Sequence, residues 1–322
     1  MRPRWSLPIS SAYAPPVAGS WPCSKIWCGC PRATRPGSRP AALLARVEAN
    51  RIWLGHFGRG IVEAPENFGA RGSPPSNPEL LEWLARDFVD GGWSVKGLHR
   101  RIVLSRAYRQ ATASSQGAAA IDPENRLLWH FPPRRLDAES LRDSMLAAAG
   151  VLNLDVGGPP VELQALEDGE VVLPLPDGPG PQAADRRSLY LRHRRSQPLT
   201  FLQAFDEPAM DPNCVARSSS TVVSQALAML NGSFAVRMGA KLAQRIEREA
   251  PEGVDQRVER AFLIALARPP SPAERERSVH FLAAQSRLYR ESSAADDGDA
   301  AARALADFAR MLLASNELAY IQ

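Results

Sequence analysis

Lysine is almost missing from this chain, and acidic residues are missing from its first forty positions. Lys25, Lys96 and Lys241 are the only lysines among 39 basic residues, the rest being arginine. That preference reads as GC-rich coding before it reads as function. Long apolar runs are absent as well: nothing approaches the roughly eighteen uninterrupted apolar residues of a membrane helix, so no membrane span is expected. Pro8, Pro15 and Pro16 interrupt the segment after Arg2 and Arg4 where a secretory leader would place its apolar region. Cysteine is scarce, with Cys23, Cys28 and Cys30 crowded into CSKIWCGC and only Cys214 beyond. That spacing has neither the C-x-x-C of a zinc ribbon nor the C-x-x-C-H of haem attachment. Five histidines stand in no metal-ligand spacing, so neither a metal nor another cofactor is expected in this chain. A nucleophile elbow, H-E-x-x-H, a Walker loop and a dinucleotide fingerprint are all lacking.

The net charge of +4 invites a nucleic-acid reading, but its distribution removes it. Residues 1–50 hold seven of the 39 basic residues and one of the 35 acids, which leaves 32 basic and 34 acidic residues beyond. A near-neutral remainder lacks the basic excess that phosphate binding requires. Residues 1–40 also hold eight of the 28 prolines and three of the seven tryptophans, and no helical or strand period runs through them. Two readings fit: a start or frame error in a GC-rich message, or a Pro-rich arm. Either way the folded unit is expected over 41–322.

That unit reads as mainly α, a multi-helix domain with a short β element and a Pro/Gly-rich insertion. Leu43, Val47, Trp53, Leu54 and Phe57, with Asn50 in the same stripe, predict a helix over 41–57 that Gly58 ends. Residues 58–77 form a long Gly/Pro-rich loop. Asn77-Pro78-Glu79 starts a second helix with Leu80, Leu81, Leu84 and Phe88 inward. Ser94 caps a third to about Gln110, with Val95, Leu98, Ile102 and Tyr108 inward. Residues 111–121 read as a linker, and Asp137 caps a helix closed by Gly150. Within the insertion at 151–186, placed on the surface, VELQAL and EVVLPL can be short strands. Ser188–Arg194 alternates as a strand, with Leu189 and Leu191 in and Tyr190, Arg192 and Arg194 out. Helices follow at about 198–205, 221–231, 233–249, 254–267, 272–290 and 300–314. Ser271-Pro272-Ala273-Glu274 is a capping box with proline at the first helical position.

NRIWLGHFGRGIVEAPENFGARGSPPSNPELLEWLARDFVDGGWSVKGLHRRIVLSRAYRQ at 50–110 resembles the opening of a planctomycete C-terminal domain of unknown function, found in large proteins that also carry cytochrome-c-like modules. DPENRLLWHFPPRRLDAESLRDSMLAAAG at 122–150, RRSLYLRHRR at 186–195, STVVSQALAMLN at 220–231 and SNELAYIQ at 315–322 resemble its later blocks in order. The resemblance implies an N-terminally truncated member of an exported family, hence an extracytoplasmic location. It also implies cytochrome-c-like or companion domains as partners, with haem confined to those upstream domains. It supplies no catalytic residues.

Candidate chemistry is therefore read from the residues. His56 and Arg59 close the first helix beside Trp53 and Phe57, where they can meet an anion or simply cap carbonyls. Glu139 and Asp143 at i, i+4 present two carboxylates on one face, an acid–base pair if burial separates their pKa values, or an ion-paired solvated face with Arg142. Tyr190, Arg192 and Arg194 on the basic strand suit a sulfated or carboxylated glycan, or keep a strand edge unpaired. Arg217-Ser218-Ser219-Ser220-Thr221 precedes a helix as anion receiver or plain cap. Two functions follow: an accessory helical module docking on partner domains, or an enzyme or binding unit acting on anionic polysaccharide.

Overall fold

The computed structural model describes residues 39–113, 115–174, 185–208, 217, 220–293 and 297–321. Residues 1–38 and Cys214 lie outside them. In chain order the elements are α1 (Arg39–Phe57), α2 (Pro78–Asp90), α3 (Val95–Val103), α4 (Gln116–Ile121), β1 (Arg134–Arg135), α5 (Ala138–Ala149), β2 (Gln164–Ala165) and β3 (Val171–Val172). A 3-10 turn at Ser188–Tyr190 precedes α6 (Thr200–Ala204), α7 (Val223–Asn231), α8 (Ser233–Glu249), α9 (Val254–Leu266), α10 (Pro272–Ser293), α11 (Asp297–Leu313), α12 (Asn316–Ala319) and β4 (Tyr320–Ile321). The mainly α expectation holds, with two small antiparallel ladders, β1–β4 and β2–β3.

Two apolar clusters form. The first joins α1, α2 and α3 with Ile61, Val62 and Phe131. Its packing face on α1 differs from the expected stripe: Ala45, Ala49, Ile52 and Trp53 are buried while Leu43 is 40% exposed. Small alanines let α2 approach, which a leucine ridge would prevent. Asn50 is fully buried because it acts as a piece of backbone, accepting from Val62 N at 2.8 Å and donating to Val62 O at 3.0 Å. That two-way pairing pins the start of the long loop and leaves no polar atom of the amide wasted. Asn77 caps α2 by accepting from Leu80 N at 3.0 Å, as its sequence context predicts. α3 stops at Val103 instead of Gln110, and Val95 is exposed. The expected linker contains the short α4.

The second cluster packs α5 and α7 against α8, α9, α10 and α11, with Phe308, Met238, Leu242 and Ile246 at its centre. α8 and α11 approach closely at Gly239, where an added Cβ would lie 2.8 Å from Arg310 Cβ and 3.0 Å from Ala306 O. The capping box forms: Ser271 N donates to Glu274 Oε2 at 2.8 Å and Glu274 N to Ser271 Oγ at 3.3 Å. Arg268 then bridges Glu274 and Glu317, tying the start of α10 to α12. The chain end joins the two clusters. Leu136 N donates to Ala319 O at 2.8 Å, Arg134 pairs with Ile321, and Ile321 packs on the first cluster while Leu318 and Ala319 pack on the second.

Two expectations need correction. The 188–194 segment is not a strand: it is a 3-10 turn followed by one parallel bridge, Val161 to Leu191. Alternation of side chains cannot reveal that Ser188 is the inward residue (7% exposed) while Leu189 is 75% exposed. The 151–186 insertion is also more than surface, since Val161 and Leu173 enter the second cluster. Its two expected strands do pair, Gln164 with Val172 and Ala165 with Val171.

Gly239→Ala gains about 1 kcal/mol of helix propensity but overpacks a backbone contact, at a cost of about 1–3 kcal/mol. Because the nearest atoms belong to a neighbouring helix backbone and Cβ, the overpacking wins. A lower denaturant midpoint is expected; an unchanged or higher one would show that α8 and α11 are not in this contact.

Candidate functional site

A cleft of about 180 Å³ is lined by Glu139, Ser188, Leu189, Leu191, Arg192, His193, Leu199, Leu202 and Glu207. Three clamps build it. In α5, Arg142 is fully buried and donates to Arg186 O at 2.9 Å and Ser188 Oγ at 3.1 Å. Burial pulls its pKa down to about 10, so it remains charged at neutral pH, answered by Asp143 at 3.4 Å. Asp143 also accepts from Ser188 N at 2.8 Å and Ser188 Oγ at 2.7 Å. The expectation of a solvated face around Arg142 is therefore wrong for its centre: the helix turns this arginine inward to hold a neighbouring segment. Arg186 repeats the device, donating to the carbonyls of Asp155, Gly157 and Pro159 while its guanidinium lies 4.1 Å from the Tyr190 ring centroid.

The third clamp sits on the other wall. Asp206 takes a left-handed backbone (φ 63°) that aspartate tolerates better than most residues. Its carboxylate accepts from Ser220 N at 2.8 Å, Ser220 Oγ at 2.8 Å and Arg135 Nη2 at 2.6 Å. Burial works against its charge, but these bonds hold its pKa below the ordinary carboxylate value. The following residue, Glu207, is set in the cleft by this turn and by its own N–H to Leu202 O at 3.0 Å.

Two cleft carboxylates are driven apart electrostatically. For Glu139, burial opposes ionisation, but the hydrogen bonds from Arg217, the longer one 3.0 Å, lower its pKa. For Glu207, burial dominates and raises the pKa, with the nearby charge of Glu139 adding to it and His193 and Arg217 opposing. Glu207 Oε1 lies 3.5 Å from His193 Nε2, and Oε2 is buried without a hydrogen-bond partner among the described residues. A carboxylate held ionised beside one that tends to keep its proton is the division seen in general acid–base pairs.

The sequence-derived candidates separate. Glu139 and Arg192 line the cleft; Asp143, Tyr190 and Arg194 support it from outside. Arg192 and Arg194 both hold Glu162, at 2.6 and 2.7 Å. Arg59 pairs with Glu63 at 3.1 Å, with Glu124 at 3.9 Å, and takes no part in the cleft. His56 contacts His99, Nε2 to Nδ1 at 2.7 Å, and burial followed by the charges of His99 and Arg134 lowers its pKa. No group of three or more His, Cys, Asp or Glu side chains placed to hold a metal ion occurs among the described residues. Glu207, Arg217 as a carboxylate partner, and His99 went unnoticed in sequence. No spacing rule links Glu139 to Arg217, 78 positions away, or to Glu207.

Residues 37–282 match the family model described as PSD1, a protein of unknown function (DUF1553). The chain belongs to that family. No curated protein and no solved structure matches it.

Because the folded pKa of Glu207 is raised, the folded state holds its proton longer than the unfolded chain does. Stability is therefore lost as pH rises through the window between the unfolded and folded values, and ionised Glu207 is a cost above it. Glu207→Gln is expected to raise the melting temperature at pH 8 and to leave it nearly unchanged below about pH 4, where the carboxyl is protonated in both states. An equal shift at both pH values would remove the assignment.

Proposed function

We propose that this chain is an accessory helical module, without its own redox cofactor, that docks on a companion domain of a longer exported, cytochrome-c-like protein. One observation carries the reading. α7 carries an apolar exposed side: Gln225 and Met229 are buried, while Val223, Ala226, Leu227 and Leu230 share the opposite, exposed side. Val223, Leu227 and Leu230 are 77%, 53% and 45% exposed, and Val222 just before α7 is exposed as well. The outward side of a surface helix is ordinarily polar or charged, and exposed apolar surface in its place marks an interface. α7 has no charged residue, so its occupant is apolar at the contact rather than a polyanion. The resemblance to a domain that shares its chain with cytochrome-c-like modules supports a companion domain as that occupant.

A second reading, a binding or enzymatic unit for anionic polysaccharide, is favoured by the cleft that holds Glu139 and Arg192 together. Arg59 and the long 58–77 loop add nothing to it, since Arg59 is ion-paired elsewhere.

Docking is tested by sedimentation of the full chain with a recombinant cytochrome-c-like companion domain of the family. A one-to-one complex is expected, and Leu227→Lys is expected to weaken it by roughly a hundredfold, the loss of one well-buried anchor, with the melting temperature unchanged. No complex, or a complex indifferent to Leu227→Lys, contradicts the reading. Concentration-dependent dimers abolished by Leu227→Lys would assign the face to a second copy instead.

A further inference from the structure

We propose that the cleft between α5 and the 188–207 segment binds a single sugar ring, with Glu139 and Glu207 as its two hydrogen-bonding poles and Leu189 and Leu191 as its apolar wall. Size sets the first limit. A volume of about 180 Å³ falls below the ~300–1,000 Å³ of clefts that enclose drug-sized ligands, so one ring fits and a longer chain must leave through the opening. Glu207 sets the second, its Oε2 being without a hydrogen-bond partner among the described residues. Buried carboxylate oxygens without partners are rare, so a carboxyl this sparsely bonded in the cleft wall, with Oε1 3.5 Å from His193 Nε2, is the group a ligand hydroxyl satisfies, through Oε1.

Charge decides the ligand class. A cation would face Arg192, Arg217 and His193; a compact anion would face Glu139 and Glu207. A hydroxyl suits both poles, donating to Glu139, which Arg217 keeps ionised, and either donating to or accepting from Glu207 as its proton comes and goes. The leucines offer the C–H face of a pyranose a dry surface: Leu189 is 75% exposed, and Leu191 lies beside it with Leu199 and Leu202 behind. Arg192 stands at the rim, half-exposed and paired with the half-exposed Glu162. A ring carboxylate or sulfate can displace Glu162 there and gain a charge-assisted bond of better geometry. This deepens the polysaccharide reading and is independent of docking through α7.

The test is ligand-observed NMR on the full chain with the methyl glycosides of glucose, galactose, mannose and glucuronic acid. Millimolar binding of at least one neutral glycoside is expected, with the glucuronide roughly tenfold tighter, one charge-assisted bond's worth. Arg192→Gln is expected to erase the glucuronide advantage, so that the glucuronide binds no more tightly than the neutral sugars. Glu207→Ala is expected to weaken all of them by roughly tenfold, with Glu207→Gln, which keeps the hydrogen-bonding pole and the fold, retaining most of the affinity. If neutral and charged sugars bind equally, the anionic reading fails and the sugar site stands. If none binds, or if binding ignores both Glu207 variants, the sugar site is overturned.

Discussion

A single buried guanidinium organises the half of the molecule where chemistry is concentrated. Arg142 projects from α5 into the second cluster and finds the carbonyl of Arg186, the hydroxyl of Ser188 and the carboxylate of Asp143. A buried arginine is tolerable only when its charge is paired and its donors are used. Asp143, beside it on α5, pairs the charge, and the irregular 185–193 segment supplies the carbonyl and the hydroxyl, so the segment and α5 are fixed to each other by these bonds. Leu189, Leu191, Arg192 and His193 all follow from that attachment. Remove the guanidinium and Asp143 keeps Ser188, but the carbonyl of Arg186 loses its buried donor.

The opposing wall depends on a second arginine. Arg135, in the two-residue strand beside the chain end, secures Asp206, and Asp206 secures Ser220. Glu207 is the neighbour of that anchor and Arg217 lies just before Ser220. The cleft therefore opens between two polar hubs rather than between helices packed by apolar faces. These hubs leave Glu207 partly desolvated beside an ionised Glu139. The raised and lowered pKa values are consequences of this architecture, because one carboxylate received an arginine and the other did not.

Much of the fold was legible because periodicity and capping act locally. Asn77, Ser94 and the Ser271–Glu274 box mark helix starts where the chain has them, and α8 has the bounds its pattern predicts. Packing faces were less legible. Ala45 and Ala49 displaced Leu43 from the interior because closeness of approach between α1 and α2 outweighs the area a leucine would bury. The 188–194 segment failed for a sharper reason: two-residue alternation describes a strand only when a neighbour offers a ladder, and here the neighbour offered a buried arginine. Of the site, Glu139 and Arg192 could be named, but their relation could not. Glu207 and Arg217 reach Glu139 through tertiary structure alone, so only the fold shows that the relevant carboxylate partner is Glu207 and not Asp143.

Arg142 holds the cleft in the form that separates the two carboxylates. Carbon-13 NMR titration of the side-chain carboxyls of Glu139 and Glu207, in the native chain and in Arg142→Met, measures this directly. Methionine fills similar volume without the charge, a replacement buried ion pairs often survive. The native chain is predicted to titrate Glu207 above and Glu139 below the ordinary glutamate value, and the variant to bring the two together while its helical circular dichroism is retained. An unchanged separation in a folded Arg142→Met chain, or no separation in the native one, would contradict it.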